Sequence, residues 1–491
     1  MLRTLLSALP PCTVLTRSTH LTSLTSLTSL TSLTCLTLLC CCPDRLPASE
    51  QPAAGASHTI ELRSHTGLSD ALYQSQLLGT LDHPIASGIT LCATLLPARL
   101  TSTGECELDA KANGAFHRIG TGVLSVSVPD PINKKPLAFK LLISKAKNGV
   151  WLYRNLTQVS FAIGEDIVSV IDVNGDGVYN ESGVDGMCWD GESCLFPLPA
   201  PAERWCTAHA ELSGLSMGPQ GQHAQVNRRD LATVVPETLL MLTDINQQRS
   251  HLGLTPRPEN VDLSAPLQSH CQYMVGTSTL AHGETPDTPG YTAAGNEAGM
   301  NSILGQGSPP QVVATVMMAT FYHRLDVIRA NTQAFGLGYA GSFSGIDGRR
   351  DCNAGMTITN PVLCPAPDQQ EVPLAFNHEA PDPLPGVTSA GYPITAYFTT
   401  ADLNIVSATV TDLLDGATAL VPCYLFDAAQ GGDLGFNHFE QVAGMIPKAP
   451  LQEGHTYQVA MAVRVAGSTW QKTWRFTTKG GRDSASDHRG R

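Results

Sequence analysis

The sequence predicts a multidomain α+β protein: a β-sandwich first, a helical segment in the middle and a second β-sandwich last. Three observations carry this expectation. Over residues 58–208, apolar and polar positions alternate in short runs such as Gly122-Val-Leu-Ser-Val-Ser-Val and Leu137-Ala-Phe-Lys-Leu-Leu-Ile, separated by Gly, Pro and Asn-Gly. From 231 to about 332 the apolar spacing becomes helical. After Gly345 short alternating runs return, and the 491-residue length suits two to four domains.

In chain order, residues 1–42 form a low-complexity leader. Leu recurs at every third position from Leu21 to Leu36 in a Leu-Thr-Ser repeat, preceded by Arg3 and Arg17 and followed by Cys40-Cys41-Cys42. This composition reads as an export signal with an expanded repeat, as an extension upstream of the true start, or as an anchor. The anchor is the poorest of the three, because no run of about 20 predominantly apolar residues exists. Cys35 and Cys40 are candidates for lipid attachment, so the chain is expected to be secreted or held at the cell envelope, with no integral membrane span. Residues 43–57 read as a Pro/Ala/Ser linker, 58–208 as the first β domain and 209–230, rich in Gly, Gln and Ser, as a second linker. The helical domain covers 231–345, a connecting segment 346–392, the second β-sandwich 393–478, and a polar, disordered tail 479–491.

With 30 basic against 43 acidic residues, the net charge of −13 argues against a nucleic-acid partner, which needs clustered Lys and Arg. Nine cysteines lie beyond the leader, and three local pairs suggest disulfides in an oxidising compartment: Cys92 with Cys106, Cys188 with Cys194, and Cys352 with Cys364. The odd number leaves one free, and Cys271, within a helical pattern, is the expected one. No doubled C-x-x-C spacing points to a structural zinc site.

The first β region holds one motif with chemistry in it. Asp172, Asn174, Asp176, the Val178 carbonyl and Asn180 fall at alternate positions around Gly177, as in the first nine positions of a calcium loop. Gly183 stands where the bidentate Glu belongs, so Glu181 or Asp185 would substitute. The expected cofactor is a structural Ca²⁺; the alternative is an Asx-rich turn with no ion. Gly214-Leu-Ser216-Met-Gly218 matches G-x-S-x-G, but a nucleophile elbow needs a strand-to-helix turn, and a polar Pro219-Gln-Gly follows instead.

In the helical region, Leu239, Leu242, Ile245, Asn246 and Arg249 share one face, ended by Gly253. A second helix is expected from about Ser264, with Pro266 in its first turn and Leu267, His270, Cys271 and Met274 as its buried stripe. A third follows Pro309-Pro310 and buries Val313, Val316, Met317 and Thr320 before His323. A Gly-rich stretch from Ala281 to Ala298 joins the last two.

This ordered series resembles the bacterial, SCP-like extracellular type of the CAP superfamily (cysteine-rich secretory, antigen 5 and pathogenesis-related proteins). The resemblance rests on Asn246-x-x-Arg249, the Gly253-Leu254 turn, the helix with His270, a loop His, the Glu-containing Gly-rich segment, His323-Arg324 and Phe335-Gly-Leu-Gly-Tyr339. It extends through Asn360-Pro-Val-Leu-Cys-Pro, Glu379-Ala-Pro-Asp-Pro and Gly391-Tyr-Pro to about Thr478, like the linker and Ig-like β-sandwich appended in one bacterial subset. It implies a central CAP α-β-α sandwich whose cleft holds two His and two Glu around a divalent metal, often Zn²⁺. Carried onto this chain, His282 and His323 match the two His and Glu297 the first Glu. The second Glu has no counterpart, and Glu284 is the nearest replacement. Two imidazoles with one or two carboxylates suit Zn²⁺ or a similar ion; the alternative is a hydrogen-bonded network that holds the loop. The functional expectation is a binding module for a small-molecule, lipid, peptide or envelope ligand, with a metal-dependent hydrolase using the same cleft as the alternative.

Overall fold

The computed structural model describes residues 56–59, 61–64, 73–74, 76–78, 80–132, 134–189, 194–356, 358, 360–400, 403–413, 418–427 and 441–480. The leader, most of the first linker and the end of the tail lie outside these residues.

Four sheets build the N-terminal β region, and they extend to Asp230. The strands Gly122–Pro129 and Pro136–Lys145 pair antiparallel, as their alternation requires, and turn Val126, Val128, Phe139, Leu141 and Ile143 into one core with Phe161, Trp189, Phe196 and Trp205. Residues 209–230 are a hairpin, Ala210–Met217 against His223–Asp230, and not the linker that their composition suggested. The reason is burial: Ala210, Leu212, Leu215, Ala224 and Val226 point into the same core, which Ser and Gly between them conceal in the sequence. Gly214-x-Ser216-x-Gly218 therefore lies on a bulged strand and forms no elbow.

Five helices follow among the described residues: α1 Pro236–His251, α2 Val261–Thr277, α3 Ala293–Met300, α4 Val313–Met318 and α5 Arg324–Ile328. In α1 Met241, Leu242, Ile245 and Arg249 are buried, while Leu239 is exposed. Helix α2 starts three residues before Ser264 because the Asn260 side chain accepts the Asp262 and Leu263 amides, a cap that contributes about 1 kcal/mol. Helix α3 arises inside the Gly-rich stretch, where the Thr292 hydroxyl caps Gly295 N–H. The helix expected to run from Pro310 to His323 is broken in two. Ala319 to His323 form a turn between α4 and α5, and the Glu379 carboxylate accepts the amides of Phe321, Tyr322 and His323 there.

The expected central CAP α-β-α sandwich is not what the chain forms. Among the described residues strand makes up 41% and helix 15% of a mostly all-β structure with seven sheets. The helical segment contributes only a three-stranded sheet, Ile303–Gln306, Phe343–Asp347 and Gly336–Ala340. Helices α2 and α3 share a small core with this sheet, made of Leu267, Cys271, Met274, Ala298, Leu304 and Phe343, whereas α1, α4 and α5 pack elsewhere. Met241, Ile245, Met317, Phe321 and Ile328 belong to one cluster with Val362, Ile394, Tyr397 and Met445 of the C-terminal sheets. Arg324, fully buried, ties the two together: its guanidinium donates to Pro393 O at 2.7 Å and to Met318 O, and lies 4.6 Å over the Tyr392 ring. Two sheets complete the C-terminal region, one four-stranded around Ile394–Tyr397 and one five-stranded around Thr456–Val465 and Ser468–Thr478.

Of the expected disulfides, two are absent. Cys92 Sγ donates to Gly177 O, and Cys106 is a free buried thiol. Cys352 sits beside Thr332 and Gly348, whereas Cys364 lies against Arg324 and Tyr392, so these two occupy different neighbourhoods. The Cys194 side chain is outside the described residues. Cys271 is free and buried in α2.

Candidate functional site

The positions of His282 and His323 follow from close packing. Helix α2 lies directly on the Gly336–Ala340 strand: a Cβ on Gly338 would come within 2.7 Å of Leu267 O. Helix α3 is held equally close, since a Cβ on Gly299 would meet the His270 ring and His282 O at 2.4 Å. His270 is fully buried and fixes the intervening loop, with Nδ1 2.9 Å from Glu284 Oε1 and Nε2 2.9 Å from Ala281 O. Glu284 also accepts the Thr292 amide at 2.8 Å. Its side chain is closed off completely, so it holds the loop and does not enter the cleft.

On this frame His282 and His323 line one cleft of about 440 Å³, together with Leu280, Gln306, Met317, Asn377 and Glu379. A second lobe of about 410 Å³ continues past the same two histidines to Met300, Tyr322, Asp326 and Arg349. His282 Nδ1–H donates to Gly299 O at 2.8 Å, which leaves the Nε2 lone pair for another partner. His323 Nδ1 is 3.7 Å from Glu379 Oε2. Burial, and then the neighbouring His282, push His323 down to about 4. Glu379 is pushed up to about 7 by burial, although the amides of Tyr322, His323 and Phe321 oppose the shift.

The sequence pointed to a different carboxylate. Glu297 lies on the outer face of α3, its side chain 72% exposed and 3.7 Å from Arg350. Glu379 takes the place beside the histidines, and no local pattern announces it, because it reaches His323 from 56 residues further along the chain. Among the described residues no three His, Cys, Asp or Glu side chains form a set able to hold a metal ion, so the cleft lacks a ready-made zinc shell.

The acidic loop of the N-terminal region has its own geometry. Asp172 Oδ1 accepts the Gly175 and Asp176 amides, and Oδ2 accepts the Gly177 amide and Asn155 Nδ2. Asp176 Oδ1 accepts the Val178 amide, and Asn174 Nδ2 donates to Glu181 Oε2 at 2.6 Å. Asn180 turns away to donate to Met217 O. Asp185 is fully buried; its Oδ2 accepts the Glu181 amide at 2.9 Å, and the Val173 amide also acts on its carboxylate.

No protein-family model matches the chain, and no curated protein is similar to it at a significant level. Among solved structures the chain is similar to an extracellular protein containing an SCP domain from Bacillus anthracis str. Ames, at 11% identity over 54% of this chain and 87% of that one, with a TM-score of 0.19. A likeness this loose carries no functional argument. No helix among the described residues is long and apolar enough to cross a membrane.

Proposed function

We propose that the chain is an exported binding protein, and that its cleft takes a small amphiphilic ligand with its polar end at His282 and His323. The observation that carries this reading is the two-lobed cleft itself, in which both histidines sit at the junction of the lobes. Its polar lining groups, His282, His323, Gln306, Ser308, Thr320, Asn377, His378 and Glu379, face an apolar wall that includes Leu280, Leu304, Val316 and Met317. Leu280 and Met300 remain 45% and 60% exposed at its edges, large apolar side chains for which a ligand's hydrocarbon body is a fitting cover. The leader-like composition of residues 1–42 supports export.

Titration with a fluorescent long-chain alcohol, whose hydroxyl can donate to the free Nε2 of His282, tests the reading. Saturable binding is expected, with loss of affinity in the double variant His282→Ala/His323→Ala and retention in Glu297→Ala. Equal titration curves for the parent and the double variant would end it.

One observation favours a second reading, metal-assisted hydrolysis. Glu379, with its pKa near 7, stands beside a neutral His323, an arrangement suited to proton transfer near neutral pH. Turnover of an ester or peptide library that disappears with chelator and with Glu379→Gln would replace the binding reading. No turnover under either condition would leave binding alone.

A further inference from the structure

Helix α1 carries an apolar side chain that the fold leaves uncovered. Leu239 extends the stripe of Leu242 and Ile245 by one turn, and those two are buried, yet Leu239 stays 42% exposed. Beside it a cavity of about 440 Å³ opens between α1 and the N-terminal β region. This cavity shares no lining residue with either lobe of the histidine cleft. Its size is that of pockets which take small molecules.

The chemistry of the lining is one-sided. Leu239 and Leu242 face it from the helix, Trp189, Ala208 and Leu231 from the β region and its exit, and Pro256 from the loop after α1. Most polar donors in the wall are already spent on the fold. Thr207 Oγ1 donates to Asp166 Oδ2, Thr243 Oγ1 to Leu239 O, and Asn246 Nδ2 to Arg257 O and Cys206 Sγ. The Trp189 indole N–H and the Gln247 and His251 side chains, by contrast, make no hydrogen bond among the described residues. Trp189 is buried, whereas Gln247 and His251 are exposed, so the free polar groups mark the inner wall and the mouth. No lysine, arginine, aspartate or glutamate lines the cavity. Desolvation pushes His251 below its ordinary value, so it supplies no counter-charge at neutral pH. An ion entering there would lose water without gaining a partner.

We infer that this cavity is a ligand site separate from the cleft, and that it takes a small uncharged ring compound bearing one hydroxyl group. The ring body covers Leu239 and packs against Leu242 and the Trp189 indole, where aromatic rings meet edge to face or offset. The hydroxyl oxygen gives the unbonded N–H groups an acceptor, and its proton finds the His251 ring. None of the cleft residues enters this inference, so either reading can fail alone.

The test is fluorescence titration of the full chain with naphthol, set against naphthalenesulfonate, which has the same rings and a fixed negative charge. Saturable binding of one naphthol per chain is expected, with the sulfonate weaker by about tenfold or more. Leu239→Glu puts a charge on the wall, and Ala208→Phe fills the cavity from the opposite side; both positions are exposed, so the fold should tolerate the changes. Each should weaken naphthol binding by about tenfold or more, with the melting temperature preserved. The double variant His282→Ala/His323→Ala should bind naphthol as the parent does. Absence of saturable binding, equal affinity for the sulfonate, or parent-like binding in Leu239→Glu and Ala208→Phe would overturn the inference. So would loss of binding in the histidine double variant, which would move the ligand to the cleft.

Discussion

Glu379 in the cleft and Asp185 in the acidic loop are both closed off from water, but the fold treats them differently. Glu379 meets three backbone amides in the turn between α4 and α5, so its charge is solvated by the chain. Asp185 meets two amides, those of Glu181 and Val173, and the fields of two other carboxylates. The first is a self-contained structural device that also presents a carboxylate beside His323. The second is held toward its protonated form by burial and by its two neighbouring carboxylates. Burial alone therefore says little about a carboxylate; the count of donors aimed at it separates the two cases.

Removing each carboxylate sharpens that comparison. Glu379→Ala strands three amides in a buried turn and is expected to cost about 3 kcal/mol, near 1 per donor. Glu379→Gln, which keeps an acceptor oxygen, should cost about 1 kcal/mol by the same accounting. Chemical denaturation of both variants measures the difference. Asp185→Asn should lie within about 0.5 kcal/mol of the parent at pH 7, since the acid it replaces is largely neutral. If the order is reversed, the donor count is the wrong explanation.

The two sites also differ in how they respond to pH. Asp185 is pushed up to about 8 by burial, against an ordinary 3.8, and Asp172 up to about 6, also by burial. A raised carboxylate binds its proton more tightly in the folded state, so the protein should lose stability as pH rises from about 4 to about 8. In the cleft the two groups oppose each other. His323, held at about 4 by burial, contributes stability that is fully present above about 6.5 and is lost as pH falls toward 4. Glu379, raised to about 7 by burial, contributes stability that is present below about 4.5 and is lost as pH rises to 7. Glu379→Gln should therefore gain on the parent in melting temperature between pH 5 and pH 7.5, and a widening deficit would contradict this assignment. The smallest effect is expected from Glu297→Ala, within about 0.5 kcal/mol, because that side chain is mostly in solvent.

What the sequence revealed and what it hid divide along physical lines. Local periodicity was legible: the α2 stripe of Leu267, His270, Cys271 and Met274 is buried as its spacing implies. So was the alternation of Gly122–Pro129 and Pro136–Lys145. Composition misled at 209–230, where Ser, Gly and Gln mask a strand pair whose inward positions are Ala, Leu and Val. It misled again at α3, where Gly299 permits the close approach to His270 and His282 O, Gly295 permits that of Glu284, and a helix capped by Thr292 still forms. The central α-β-α sandwich was lost for a different reason. Helical spacing shows which face of a helix is apolar but not what that face will meet, and α1, α4 and α5 meet the C-terminal sheets. Of the four cleft candidates, His282 and His323 share a cleft, while Glu284 and Glu297 lie outside it. Glu379, their neighbour, is set by tertiary contact alone.

Native mass spectrometry of the purified full chain tests the cleft most directly. The account predicts a bound small molecule on the parent protein and on Glu297→Ala, removed in His282→Ala/His323→Ala with the fold intact. The same adduct on the double variant, or a bare chain in all three that also fails to take up the long-chain alcohol probe, would contradict it.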